Sequence, residues 1–473
     1  MRFCVLERTR VVKSFLKALE SYGFSADARG GKPVLHSIVK GRFAEGEEAF
    51  SIDTPIDGSR LFYATILKTP ISEHGSSPSL WEISPGEAVE PGFLEALEAE
   101  LSDADETLVD ILVLDTGKTR VEARLEVEAS LKLLRSAAGL GESRFRGVLV
   151  ALPSYTMPLY TTVYSLYRAA ERGMGVLLKP PRKAPLAPTL VAAAASRLGM
   201  EDGLNMVYTT GASLLGLSRV FRSESIIFTC PSKAAIARAG TIASRGRSVA
   251  IVSAGSLDEV TARFIMYGRA LHAGQACGSI GWVIAVGRLS RNEVDALIDA
   301  AESIRVGDPS DPSTAMGPLI KPGLAEASEK YVNYIEGMGG VVPTGYRREG
   351  RYVWPSVVEG VVKDPVVLSR DPRFPVLPIV TVSSPEEAAS IAAMTGASDV
   401  LAFQLGSSSL RALGERLSGL EVFVDPIPPG GELPTPGSFI LSACLTPERR
   451  GEGVILESPY YSLAKKEKAE TYR

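Results

Sequence analysis

Cys277 lies in LHAGQACGSIG, with Gly274 three residues before it and Gly278 directly after it. A thiolate that attacks a carbonyl carbon needs open backbone around sulfur and nearby N–H groups to collect the charge developing on oxygen. The two glycines leave that opening. The same composition also fits a small unreactive thiol in a tight turn, the commoner state of a buried cysteine. Cys4, Cys230 and Cys444 are scattered without C-x-x-C spacing, so the sequence offers neither a disulfide framework nor a zinc site.

The elements that must position such a thiol can be read from periodicity. Between Thr119 and Leu140, Val127, Leu131, Leu134 and Ala138 recur at helical spacing with charges opposite, which predicts an amphipathic helix stopped near Gly139. Short apolar runs then alternate with helical patterns. Strands are expected at Gly147–Leu152, Gly175–Lys179, Asn205–Thr209, Ser225–Thr229 and Ser248–Val252, and helices at Leu159–Arg172, Pro188–Leu198 and Lys233–Ala243. This alternation predicts an α/β fold, a parallel sheet covered on both faces that binds ligands at the carboxyl ends of its strands. A second unit begins near Ser253. In it Ser290 and Glu293 form a capping box ahead of Val294, Leu297, Ile298, Ala301 and Ile304, and VTVSSPEEAASIAAM predicts a strand followed by a helix from about Ser384. This half is α/β as well. The first 115 residues yield little beyond an exposed loop around His74 to Pro85.

At 473 residues the chain is expected to form two or three lobes. Apolar residues make up 45% and charged residues 22%, and a formal net charge of -4 supplies no basic field for nucleic acid. No apolar run reaches the roughly 18 residues of a membrane span, and MRFCVLERTR lacks a signal-peptide h-region, so a cytoplasmic protein without a membrane partner is expected. Only three asparagines and two glutamines occur, a depletion of thermolabile amides that points to a thermophilic source.

Five segments, taken together, resemble the aldehyde dehydrogenase superfamily. GQAC, Gly274 to Cys277, is similar to that family's Gly-Gln-x-Cys nucleophile motif, and VGDPSDPSTAMGPLI, Val306 to Ile320, to its Gly-Asp-Pro…Met-Gly-Pro-Leu segment. LLKPPRKAP, Leu177 to Pro185, resembles the cofactor-binding Leu-Lys-Pro-Ser-Glu-x-x-Pro stretch; DTGKTRVEARLEVEAS resembles the Thr-Gly-Lys helix, and GRYVWPSVVEGV the Tyr-x-x-Pro-Thr segment. The matches fall in one order over roughly Asp115 to Gly453.

The resemblance implies a doubly wound cofactor domain over residues 1–252, a second α/β catalytic domain over 253–430 carrying Cys277, and a C-terminal segment, 431–473, returning to the cofactor or oligomerisation region. It implies that Cys277 adds to an aldehyde to give a hemithioacetal, which loses hydride to a nicotinamide and leaves a thioester. Thr156 stands where the family places its oxyanion-stabilising Asn, and Ala243 where it places the Glu that activates water. Lys179 matches the family's ribose-contacting Lys, while Arg182 replaces the Glu that binds the ribose diol. Paired cations suit a 2′-phosphate, so NADP is favoured over NAD. Gly211, Thr229 in FTCPSKA, and Asp371 in RDPRFPVLPIV complete the expected cofactor-binding set. A variant that passes the acyl group to coenzyme A, and a non-catalytic paralogue serving as a binding or assembly subunit, are the alternatives. The resemblance also implies a homo-oligomer, although the link Gly141 to Arg146 is too short for the family's usual hairpin arm.

Overall fold

A computed structural model describes residues 2–67, 84–141, 144–210, 226–228, 247–276, 278–368, 372–397, 399–417, 421–425, 447–450 and 453–456. Cys277, Gly211, Thr229, Asp371 and Ala243 lie outside the described residues, as does the helix expected at Lys233–Ala243. The chain divides into two compact units, Met1–Ser244 and Arg245–Arg473.

The first unit opens with α1 (Arg2–Ser21) and six short strands: β1 (Asp27–Arg29), β2 (Lys32–Leu35), β3 (Ser37–Val39), β4 (Arg42–Ala44), β5 (Glu48–Asp53) and β6 (Arg60–Ile66). Helices α2 (Pro91–Asp103), α3 (Asp105–Thr116) and α4 (Arg120–Arg135) follow, and then β7 (Gly147–Leu152), α5 (Pro158–Arg172), β8 (Met174–Leu178), α6 (Leu186–Arg197), β9 (Leu204–Met206) and β10 (Ile226–Phe228). The main sheet has the order β10-β7-β8-β9-β3-β4. From β10 to β9 it is parallel, and β3 and β4 extend it antiparallel. The windings run from β7 through β8 to β9 on one side, whereas β10 lies on the other. The strand order therefore reverses at β7, and a ligand crevice is expected outside the carboxyl ends of β7 and β10. β7 and β8 carry continuous buried apolar runs, as strands covered on both faces require. A second sheet, β1-β2-β6-β5, is built wholly from the stretch that the sequence leaves least legible.

The second unit contains β11 (Ser248–Ser253), α7 (Glu259–Ala270), β12 (Ile280–Val286), α8 (Arg291–Glu302), α9 (Pro322–Gly337), β13 (Arg348–Glu349), β14 (Tyr352–Val353), β15 (Ser356–Val358), α10 (Pro365–Leu368), β16 (Val376–Val382), α11 (Pro385–Thr395), β17 (Asp399–Phe403), α12 (Ser407–Arg416), β18 (Glu421–Val424), β19 (Pro447–Arg450) and β20 (Gly453–Leu456). Its sheet, β15-β16-β12-β11-β17-β18, is parallel throughout. The domain boundary expected after residue 252 shifts accordingly. β11 was expected to close the first unit, but it pairs with β12 and β17 and stands near the centre of the second sheet. Of the expected C-terminal segment 431–473, β19 and β20 pair as an antiparallel hairpin. Among the described residues no helix is long and apolar enough to cross a membrane.

Helix ends follow local chemistry. Thr119 and Glu122 form a capping box at the start of α4, which ends in a 3-10 turn at Ser136–Gly139. Ser290 and Glu293 form the expected box on α8, and Ser384 caps α11. Glu293 reaches further than its own helix. Its Oε1 accepts the N–H groups of Gly255 at 2.7 Å and Leu257 at 3.1 Å, and its Oε2 accepts the N–H and hydroxyl of Ser290 at 2.8 Å each. Burial raises this carboxyl's pKa, but the four donors outweigh burial and hold it below the usual range. A depressed pKa adds stability above the unfolded-state value, and that stability is lost as pH falls through the folded-state value. Glu293→Gln should therefore cost about 2 kcal/mol in urea unfolding at pH 7, and the difference from wild type should narrow below about pH 4. A difference independent of pH would show that the charge contributes nothing.

Candidate active site

The loop that leaves β7 carries Ser154 and Thr156, both buried. Ser154 Oγ accepts the Thr156 N–H at 3.1 Å and shares a 2.8 Å hydrogen bond with Thr156 Oγ1, while the Ser154 N–H donates to Thr161 Oγ1 at 3.1 Å. Under the loop lies an ion pair absent from the sequence reading, Lys118 with Glu126. Glu126 sits on the inward face of α4 with Ala123, Val127 and Ser130. Both lie in DTGKTRVEARLEVEAS, the segment that resembles the Thr-Gly-Lys helix, and a carboxylate on the apolar stripe of an amphipathic helix was the signal for the pair.

At the carboxyl end of neighbouring β8, the Lys179 N–H donates to Ala151 O at 2.9 Å and extends the β7–β8 ladder by one residue. Its Nζ donates to Pro180 O at 3.1 Å. Burial, reinforced by the Arg182 charge, pulls the Lys179 pKa down to about 8. The exposed Arg182 places its guanidinium 4.8 Å from the centre of the Phe50 ring, a cation–π contact. Among the described residues neither cation has a carboxylate partner. The structure thus puts Thr156, Lys179 and Arg182 at the carboxyl ends of adjacent parallel strands, on the edge where the sheet is expected to bind.

In the second unit the segment that carries the thiol enters β12 rather than leaving a strand. His272, Ala273 and Gly274 hold successive left-handed φ values of 47°, 52° and 76° after α7. Gly274 has no alternative there, because a Cβ would lie 2.6 Å from the Phe374 carbonyl carbon and 2.7 Å from its oxygen. The buried Arg247 donates to Gly274 O at 2.7 Å, to Ala276 O at 3.0 Å and to Ser279 Oγ. Gln275 bridges outward. Its Nε2 donates to His272 O at 2.9 Å, and its Oε1 accepts the Ile320 N–H at 2.9 Å. Arg269 holds Ile280 O at 3.0 Å, Pro372 O at 2.5 Å and Phe374 O.

These bonds join motifs that are far apart in sequence. Gln275 ties GQAC to the MGPLI segment; Leu319 N–H donates to Arg351 O at 2.9 Å, and Ser356 N–H to Pro375 O at 3.0 Å, which draws in GRYVWPS and RFPV. Arg247 and Arg269 were missed from sequence, because a buried arginine that holds backbone carbonyls leaves no pattern, and Gln275 was quoted within GQAC without its role. Ala276 and Ser279, on either side of Cys277 in sequence, and Pro372, which follows Asp371, are held in this network.

The chain can now be set beside known proteins. It is 25% identical over 331 residues to the lactaldehyde dehydrogenase of Methanococcus maripaludis, an alignment covering 63% of this chain and 71% of that protein. To malonate-semialdehyde dehydrogenase 1 of Geobacillus thermodenitrificans it is 23% identical over 404 residues, covering 76% and 83%. The fold superposes on the NADP-dependent glyceraldehyde-3-phosphate dehydrogenase of Bacillus halodurans, complexed with NADP, at a TM-score of 0.71 with 19% identity, covering 83% of this chain and 90% of that one. The sequence model of the aldehyde dehydrogenase family matches residues 91–398. With that match over most of the chain, and with the interlocked motifs and doubly wound sheet described above, this protein belongs to the aldehyde dehydrogenase family.

Proposed function

We propose that the chain oxidises an aldehyde with NADP as the preferred hydride acceptor, using Cys277 as nucleophile. The observation that carries the cofactor reading is the Lys179–Arg182 pair, two neighbouring cations at a strand's carboxyl end with no carboxylate to balance them among the described residues. Such a pair fits a phosphate, whose oxygens accept from both side chains. Lys179 and Arg182 would hold the phosphate of a bound nicotinamide cofactor, which would supply a hydride acceptor for oxidation of the aldehyde held on Cys277.

The chain's own residues do the rest. The Cys277 thiolate forms the C–S bond to the carbonyl carbon, and the electron pair of the C=O bond moves to oxygen. Thr156 serves as a donor to that oxygen. With the Ser154 proton directed at Thr156 Oγ1, the Thr156 O–H donates to a third group, the polarity an oxyanion needs. Gly211, Thr229 and Asp371 complete the proposed cofactor-binding set. Ala243, at the family's base position, favours a second reading in which coenzyme A takes the acyl group, since a thiolate acceptor needs little help from a base.

Steady-state reduction of NADP and NAD tests the cofactor reading. KM for NADP should lie below that for NAD, and Arg182→Glu should shift the ratio of kcat/KM values towards NAD by about tenfold or more. Lys179 is charged below about pH 8, so KM for NADP should rise above that pH while KM for NAD changes less. A preference for NAD, or one unmoved by Arg182→Glu, would refute the assignment.

A further inference from the structure

Two buried charges grip the loop between β7 and α5 at its α5 end, one on the last loop residues and the other on the first turn of the helix. Lys118 and Glu126 pair with side-chain exposures of 2% and 0%. Lys118 Nζ also donates to the carbonyl oxygen of Thr156 at 2.8 Å and lies 3.7 Å from Met157 Sδ. Glu126 Oε1 accepts the N–H groups of Leu159 at 2.8 Å and Tyr160 at 3.1 Å, in the first turn of α5.

Burying an ion pair carries a desolvation penalty, and apolar residues of the same volume often serve stability as well or better. The pair therefore calls for a role that apolar residues cannot fill, and its hydrogen bonds define one. The peptide unit is planar, so the Lys118 bond to Thr156 O fixes the plane on the carboxyl side of Thr156. The Ser154 bond to Thr156 N–H fixes the plane on its amino side. With both planes set, φ and ψ of Thr156 are set, and with them the direction in which Cβ projects, while the 2.8 Å contact of Oγ1 with Ser154 Oγ holds χ1. Glu126 meanwhile occupies donors at the start of α5 that would otherwise attract an anion. Charge stabilisation in this loop then falls to the Thr156 side chain.

We infer that Lys118 and Glu126 act as one buried clamp that aims the Thr156 hydroxyl, which makes them positioning residues for the reaction. The inference rests on the reading of Thr156 as an oxyanion donor. The test uses the paired variant Lys118→Met with Glu126→Gln, which removes both buried charges and keeps an amide oxygen for Leu159 and Tyr160. Glu126→Asp, which keeps both charges but shortens the reach, provides a second variant should the first not fold. Amide exchange across Tyr155–Tyr160 should quicken by about tenfold or more while exchange in β7 is unchanged. kcat for aldehyde oxidation should fall by about 10- to 100-fold, with KM for the dinucleotide unchanged. Thr156→Val should lower kcat by itself, and adding it to the paired variant should cause little further loss. Unchanged exchange overturns the clamp. Faster exchange without loss of kcat, in an enzyme that Thr156→Val does impair, reduces the pair to a structural role and overturns the inference alone. Full additivity with Thr156→Val means that the pair acts elsewhere and also overturns it. A wild-type kcat in Thr156→Val overturns the reading of Thr156 itself, and the catalytic role of the clamp falls with it.

Discussion

A burst of reduced cofactor close to one equivalent per site, followed by a steady rate about 100-fold slower, is the expected course of the first turnovers with a good aldehyde substrate. On the proposed reading, oxidation needs only Cys277, a hydride acceptor and charge stabilisation. Hydrolysis needs a base to deprotonate water, and Ala243 stands where the family supplies one. The acyl group should then form on sulfur faster than water removes it. Ala243→Glu should raise the steady rate by about 100-fold, the usual contribution of a positioned base, and leave the burst amplitude as it was. Coenzyme A should shorten the slow phase in the wild-type protein and matter less in the variant. Stopped-flow absorbance resolves both phases. Fast linear turnover in plain buffer would mean that another group activates water, and the absence of any burst across a broad aldehyde panel would favour the non-catalytic reading.

Replacing the thiol should have the largest effect of all. Cys277→Ala is expected to lower kcat by about 10⁴-fold or more, the scale on which loss of a nucleophile is felt, while the affinity for NADP measured by calorimetry stays unchanged. Arg247 brings a buried guanidinium to the carbonyl of Ala276 and the hydroxyl of Ser279, on either side of Cys277 in sequence. On the proposed reading of Cys277 as nucleophile, a cation within reach of its sulfur would favour the thiolate. Limiting iodoacetamide should therefore label Cys277 before Cys4, Cys230 and Cys444 at neutral pH, as read by peptide mass spectrometry. Earlier labelling of Cys4 or Cys444, or substantial turnover by Cys277→Ala, would move the chemistry elsewhere.

Where sequence was informative, the signal was short in range. Ser290 with Glu293 announces a helix start because the box is closed within four residues, and it is present; the box of Thr119 with Glu122, found only in the structure, is equally local. β7 and β8 were legible as apolar runs bounded by helical patterns. The N-terminal sheets were not, because strands of three or four residues, as in β1 to β4, are too short to display an alternation. β11 was recognised as a strand but given to the wrong neighbour, since a fully buried apolar run fits the centre of any parallel sheet. The site shows the same limit. Resemblance marked Thr156, Lys179 and Arg182 and covered the segments that hold Lys118, Glu126 and Gln275, whereas the partners of these three and of Arg247, as far as 45 residues away, emerge only from the folded chain.

The strand order of the second unit bears on how the chain is made. β11 and β12 leave the ribosome early and pair across α7, but β16, which covers the far side of β12, follows only after α8, α9 and α10, and β17, which covers β11, comes later still. Until then both outer rows of backbone N–H and C=O groups stand open on strands as apolar as IGWVIAV, a template for association with other nascent chains. The late strands thus close two open edges that the early pair carries until the chain has been extended past them.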